Sequence, residues 1–216
     1  MIVYTSKGDG LFDTKNKDVY KEGTSGKIYL DGNYCHKIFN NPKEFTEKPF
    51  IILRELDLPN FYKILDYLYN DRVKFIGYTS NFIKEDDINI LEDRDYLVRG
   101  FNNIFNGIKA FSKENIEVVD LHPLNILMSK KDMFVTDIDY FKRVNNDPTN
   151  INIFRYKQLI KNLVYEYLKK YDVKDIMGAY QLILDLIDIN SPNLKHFNKI
   201  MRKVNKPIDY FNKVIK

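Results

Sequence analysis

The first third of the chain alternates apolar and polar residues over short spans broken by glycine and asparagine, the signature of strands joined by tight turns. Val19-Tyr20-Lys21-Glu22 predicts a strand, Gly23-Thr24-Ser25-Gly26 a turn, Lys27-Ile28-Tyr29-Leu30 the returning strand, and Asp31-Gly32-Asn33 a second turn into Tyr34-Cys35-His36-Lys37-Ile38-Phe39. Together they make an antiparallel meander. Residues 1–16, with Gly8 and Gly10, read either as a short leading strand and loop or as a partly disordered segment. Pro42 fits the first turn of a helix beginning near Asn41, and Pro49 predicts either a kink or a division into two short helices. Residues 61–68 and 73–78 then predict a hairpin turning at Asn70-Asp71.

Beyond residue 80 the period changes. Leu97, Phe101, Ile104, Phe105 and Ile108 follow helical spacing, and so do Leu159, Ile160, Leu163, Val164, Tyr167 and Leu168. Residues 140–152 are polar, rich in Asn and contain Pro148, which predicts a loop. A third helix is expected over 176–187, a break at Ser191-Pro192, a final helix over 194–204 and a tail from Pro207. Strands followed by helices predict an α+β chain with a β-rich part over 1–80, a mainly helical part over 81–216, and a cleft between them.

The stretch over residues 118–140, VVDLHPLNILMSKKDMFVTDIDY, carries the chemistry. An apolar strand end leads into a polar loop, a short apolar run, a charged turn at Ser129-Lys130-Lys131-Asp132, and a second apolar run closing on two acids. Asp120 and Asn125 are five residues apart, and Asp137 follows Asn125 by twelve. A hairpin folded at the charged turn brings all three side chains to one end of a ribbon. Magnesium takes hard oxygen ligands, usually one or two carboxylates together with substrate phosphates, which suits Asp137 and Asn125. Asp120 is left to take or orient a proton.

Composition narrows the setting. The 34 basic and 30 acidic residues leave +4, spread along the chain, which gives no argument for a nucleic-acid partner; the lysine-rich segment 199–216 rests on charge alone. A single cysteine, Cys35, rules out an internal disulfide, and three scattered histidines (His36, His122 and His196) give no zinc pattern. No run approaches the ~18 apolar residues of a membrane span, and the first residues lack the apolar core of a signal peptide. A soluble cytoplasmic protein with no membrane partner is expected.

The string Asp-Leu-His-Pro-Leu-Asn-Ile-Leu at 120–127, followed by an apolar strand ending in Asp137, resembles the catalytic and metal-binding loops of the protein-kinase-like superfamily. The resemblance implies a two-lobed fold, a small antiparallel β lobe with one helix and then a mainly helical lobe, with ATP and magnesium between them. It makes Asp120 the catalytic base, Asn125 and Asp137 the metal ligands, and sets Asp137-Ile138-Asp139 where the family has D-F-G. Gly23, Gly26 and Ile28 match the later positions of the pattern G-x-G-x-x-G-x-V, with Lys21 in place of the first glycine. Lys37 matches the third-strand lysine on the phosphates, Cys35 and Leu127 the lining of the adenine pocket, and Tyr78-Thr79-Ser80-Asn81 the hinge beside it. The family's glutamate partner for that lysine falls on Glu47, with Glu55 in reserve.

The departures bear on substrate. Val118-Val119 stands where regulated protein kinases have His-Arg, Asp139 replaces the glycine of D-F-G, and no Ala-Pro-Glu follows. Asp-x-His-Pro-x-Asn is similar to aminoglycoside- and choline-kinase-like enzymes. The implied function is an atypical, compact serine/threonine protein kinase, similar to the RIO and lipopolysaccharide-kinase-like groups. The alternatives are a small-molecule kinase of the aminoglycoside or choline type and a catalytically weak pseudokinase scaffold, so the acceptor hydroxyl belongs to a protein or a small molecule. His122 is read as a structural histidine bonding the loop backbone, and His36 should face away from Lys37 across its strand.

Overall fold

The computed structural model describes residues 1–56, 58–71, 74–86 and 94–170. The alternation in the first part is realised as one antiparallel sheet of seven strands: β1 (Ile2–Tyr4), β2 (Gly10–Asp13), β3 (Lys21–Glu22), β4 (Gly26–Asp31), β5 (Tyr34–Phe39), β6 (Ile64–Asn70) and β7 (Lys74–Asn81). Their spatial order is β2-β1-β6-β7-β5-β4-β3. The expected meander is present as β3-β4-β5, with Lys21 opposite Ile28 and Ile28 opposite Lys37. The leading residues form a hairpin that extends the sheet, Val3 pairing with Asn70 of β6.

The sheet curls on itself. Phe12 of β2 lies 5.3 Å from the rings of both Tyr29 in β4 and His36 in β5, although three strands separate β2 from β5 in the sheet order. Register shifts between Ile64 and Asp66 and between Leu68 and Tyr69 supply the extra local twist. Val3, Tyr29, Ile38, Leu68 and Ile76 fill the enclosed space. Two glycines let β5 lie close to its neighbours: a Cβ at Gly77 would come within 1.9 Å of the Lys37 carbonyl oxygen, and one at Gly26 within 2.4 Å of the Ile38 oxygen.

The other face of the sheet packs on helix. The two prolines divide the segment after β5 into a 3-10 turn, Pro42–Glu44, and α1 (Glu47–Glu55). Pro49 falls within the first turn of α1, where its missing N–H has no intrahelical acceptor to lose. Phe50 and Leu53 of α1 join Phe39 and Tyr78 in the main core. That core continues through Phe61 into α2 (Arg94–Lys113), which buries Phe101, Ile104, Ile108 and Phe111, and into α3 (Thr149–Lys170), which buries Tyr156, Leu159, Ile160 and Leu163. Between the two helices lie β8 (Ile116–Glu117), β9 (Ile126–Met128), β10 (Met133–Val135) and β11 (Lys142–Arg143).

Two expectations need correction. Residues 140–152 are not simply a loop: β11 pairs with β8, and α3 begins at Thr149, whose backbone N–H donates to Asp147 Oδ1 at 2.9 Å. The strand expected to end at residue 78 also runs further. β7 runs through Asn81 because residues 78–81 pair in register with residues 34–37 of β5. The helices expected over 176–187 and 194–204, the break at Ser191-Pro192, His196 and the lysine-rich tail lie outside the described residues. Among the described residues no helix is long and apolar enough to cross a membrane.

Candidate functional site

Lys37 sits in β5 between β4 and β7, on the face opposite His36, whose Nδ1 lies 2.9 Å from Thr79 Oγ1. Burying an ammonium is unfavourable unless an anion answers it. Two do: Lys37 Nζ meets Asp137 Oδ1 and Asp139 Oδ2, both in the segment just after β10. Burial works against the charged lysine, but Asp139 and Asp137 outweigh it and hold its pKa above the ordinary value. The Asp139 side chain is 0% exposed, and its second oxygen accepts from the Tyr78 hydroxyl at 2.9 Å. Burial, aided by Asp137 and opposed by Lys37, pushes the Asp139 carboxyl up to about 6. Asp137 goes the other way. Burial raises it, but the hydrogen bond with Asp139 and the Lys37 charge bring it below the usual carboxylate range.

The expected glutamate partner of Lys37 is therefore corrected. Glu47 stands in the first turn of α1, and its Oε1 accepts from the Tyr69 hydroxyl of β6, while Glu55 is exposed. The acids after β10 occupy the ammonium instead.

Asp120, Asn125 and Asp137 gather at one end of the β9–β10 hairpin, as the spacing predicts. The hairpin turns over Ser129–Asp132, with Met133 opposite Met128 and Val135 opposite Ile126. Pro123–Asn125 form a 3-10 turn that folds Asn125 back, so its Nδ2 donates to the Asp120 carbonyl at 2.9 Å and lies 3.4 Å from Asp120 Oδ2. The other Asp120 oxygen, Oδ1, lies 3.3 Å from His122 Nε2, so this ring meets the carboxylate rather than serving only the loop backbone. Thr136 N–H donates to the Asn125 carbonyl at 2.8 Å, which ties the residue before Asp137 to the loop. Asp120 (φ 63) and Asp137 (φ 53) both adopt the left-handed region. Such conformations cost on the order of 1 kcal/mol each in non-glycine residues and concentrate at functional sites.

Buried amides hold these pieces in place. Asn60 Nδ2 donates to the Met133 carbonyl at 2.6 Å and the Asn60 main-chain carbonyl accepts from Val135 N–H at 2.8 Å, clamping β10. In α3, Asn152 is 0% exposed: Oδ1 accepts from Val118 N–H at 2.8 Å, and Nδ2 donates to Ile116 O and Ser112 Oγ at 2.9 Å each. Arg155 donates to Val118 O at 2.7 Å and pairs with Glu117 at 2.7 Å. Two residues beyond Val118 comes Asp120. Sequence reasoning missed Asn60, Asn152, Arg155 and the role of Asp139, because a polar residue on an amphipathic helix or in a loop ordinarily faces water. The one visible signal was the second acid of Asp137-Ile138-Asp139.

The remaining expected residues lie on the seven-stranded sheet and its β3–β4 turn, apart from Leu127 in the β9–β10 hairpin. Gly23 N–H donates to Gly26 O at 2.9 Å, and Asn40 Nδ2 reaches the Gly23 and Thr24 carbonyls at 3.1 Å each, which fixes the β3–β4 turn. Gly26 lies in β4, and Ile28 pairs directly with Lys37. Cys35 is 5% exposed, its Sγ 2.9 Å from Ser80 Oγ, and burial pushes the thiol up. Leu127 is half-buried in β9 opposite Phe134. After Asn81 the chain leaves β7 and passes along β9, Asp86 N–H donating to Met128 O at 2.8 Å.

The donor set fits magnesium. Asp137 offers a carboxylate held in its charged form, and Asn125, with Nδ2 turned to Asp120, offers its amide oxygen. No protein-family model matches the chain, and no curated protein matches it either.

Proposed function

We propose that the chain is a phosphotransferase of the protein-kinase-like superfamily that moves the γ-phosphoryl group of ATP to an alcohol, with residues 1–80 and 81–216 as its two lobes. One observation carries the reading: a lysine buried in β5, an interior strand of the sheet, meets an aspartate a hundred residues later, at the hairpin end that also gathers Asp120 and Asn125. Structural ion pairs are common, but this pair joins the lysine, the acids and the amide that phosphoryl transfer needs. Lys37 holds the non-transferred phosphates. Asp137 and Asn125 are the residues that hold magnesium, which when bound offsets phosphate charge. Asp120, fixed by Asn125, orients the acceptor hydroxyl and takes its proton. The acceptor oxygen bonds to the γ-phosphorus, the bond from that phosphorus to the bridging oxygen breaks, and ADP leaves. Protein serine or threonine is the acceptor class to test first, followed by small aminoglycoside- or choline-like alcohols.

Thermal unfolding with ATP, with and without magnesium, tests the site, because a ligand that binds the native state raises stability by mass action. The native protein should gain stability only with both present, and Asp137→Ala should lose the gain while remaining folded. Asp120→Asn should keep the gain and lose phosphate transfer. Absence of any gain at millimolar ATP would leave the fold as a scaffold for a protein partner.

A further inference from the structure

We propose that Asp139 is the positioning residue that holds Lys37 ready for nucleotide phosphates, from the position a helix glutamate would otherwise fill. The proposal rests on the phosphotransferase reading above. Four observations carry it. Asp139 is closed off from solvent, whereas Asp137, the other acid on Lys37, is 29% exposed. Asp139 is held at both oxygens, one on Lys37 Nζ and one on the Tyr78 hydroxyl. Tyr78 pairs directly with Lys37 across β5 and β7, so the same strands that carry the lysine also orient its anchor. Lastly, α1 supplies no competitor, since Glu47 is taken by Tyr69. The direction of Lys37 is then set by the sheet and the β9–β10 hairpin, and does not depend on where α1 lies.

Asp139 touches no substrate in this scheme, so its removal should weaken ligands according to their phosphates. Binding of magnesium-ATP and of adenosine is measured by calorimetry on the full chain for the native protein, Asp139→Asn, Lys37→Ala, the double variant and Glu47→Gln. Asp139→Asn should weaken magnesium-ATP at least about ten-fold, the scale for breaking a buried charge pair, and leave adenosine unchanged. The double variant should be no weaker than Lys37→Ala alone, because the two residues act as a unit. Glu47→Gln should bind like the native protein.

The proposal is overturned if Asp139→Asn binds magnesium-ATP normally, loses adenosine equally, or adds its full loss to that of Lys37→Ala. It is equally overturned if the loss follows Glu47→Gln instead. Each of those results leaves the phosphotransferase reading intact, since the native protein still binds. A native protein that binds no magnesium-ATP removes both. If Asp139→Asn does not fold, Tyr78→Phe carries the test. It frees one Asp139 oxygen and should cost magnesium-ATP about three-fold with adenosine unchanged, and an unchanged magnesium-ATP affinity there overturns the proposal.

Discussion

At the scale of single residues, the buried acids make opposite demands on pH. Asp139 holds its proton more tightly in the fold, to about 6, than the 3.8 of a free aspartate. Between those values the native state carries more protons than the unfolded chain, so stability falls as pH rises from about 4 to about 6. Asp137, with its pKa lowered, contributes stability above 3.8 that is lost only as pH falls below it. The buried His36, whose pKa burial holds below 6.5, makes stability rise with pH in the same region, so the Asp139 contribution is read as the difference from its own variant. Urea unfolding of the native protein and Asp139→Asn across that window should show the native protein losing up to about 3 kcal/mol relative to the variant as pH rises. Parallel profiles would show that Asp139 does not titrate there. Lys37 was singled out in the sequence as a charge in an apolar strand, and Asp120, Asn125 and Asp137 by the full string over 120–127 and the apolar run that ends in an acid, since Asp and Asn five residues apart are common in any loop. Asp139 was legible only as an acid in place of a glycine. The direction of its side chain depends on the left-handed turn at Asp137 and the 3-10 turn after it, and neither leaves a mark in composition.

At the scale of elements, α3 works as a brace for the strand that delivers Asp120. Asn152 satisfies Ile116 O in β8 and Val118 N–H just after it. Asn152→Ala would remove that partner from both, at a cost of about 2–4 kcal/mol. Chemical unfolding should show that loss, and phosphate transfer should fall further than the folded fraction does, because the loop carrying Asp120 loses its register. A transfer rate that simply tracks the folded fraction would make Asn152 a stabilising residue alone. The meander and the β9–β10 hairpin were readable because period-two alternation ends in turn residues on both sides. The β1–β2 hairpin and the extension of β7 were less so. Each depends on a partner distant in sequence: Val3 on Asn70 and Asn81 on Tyr34.

At the scale of the whole molecule, the main core does not stop where the composition changes. It runs from Phe39, Phe50 and Tyr78 under the sheet, through Phe61, to Ile104, Phe111 and Leu159 in the helices. Phe61 also bridges to Val135, and Tyr62 N–H donates to the Val135 carbonyl at 3.0 Å, so the sheet side and the hairpin are joined by backbone as well as by packing. The β-rich and helical parts cannot then open separately without exposing apolar surface that both bury. Cys35 reports on this directly, because its thiol is buried against Ser80 and reacts only when β5 and β7 part. Its alkylation should be slow in water, accelerate with urea with the slope of global unfolding, and slow further in magnesium-ATP by the factor that binding adds to stability. Fast labelling indifferent to urea would mean that β5 and β7 part locally, and the two parts would then be independent units joined by a weak seam. Labelling that follows urea but ignores magnesium-ATP would keep the single core and remove the nucleotide from it.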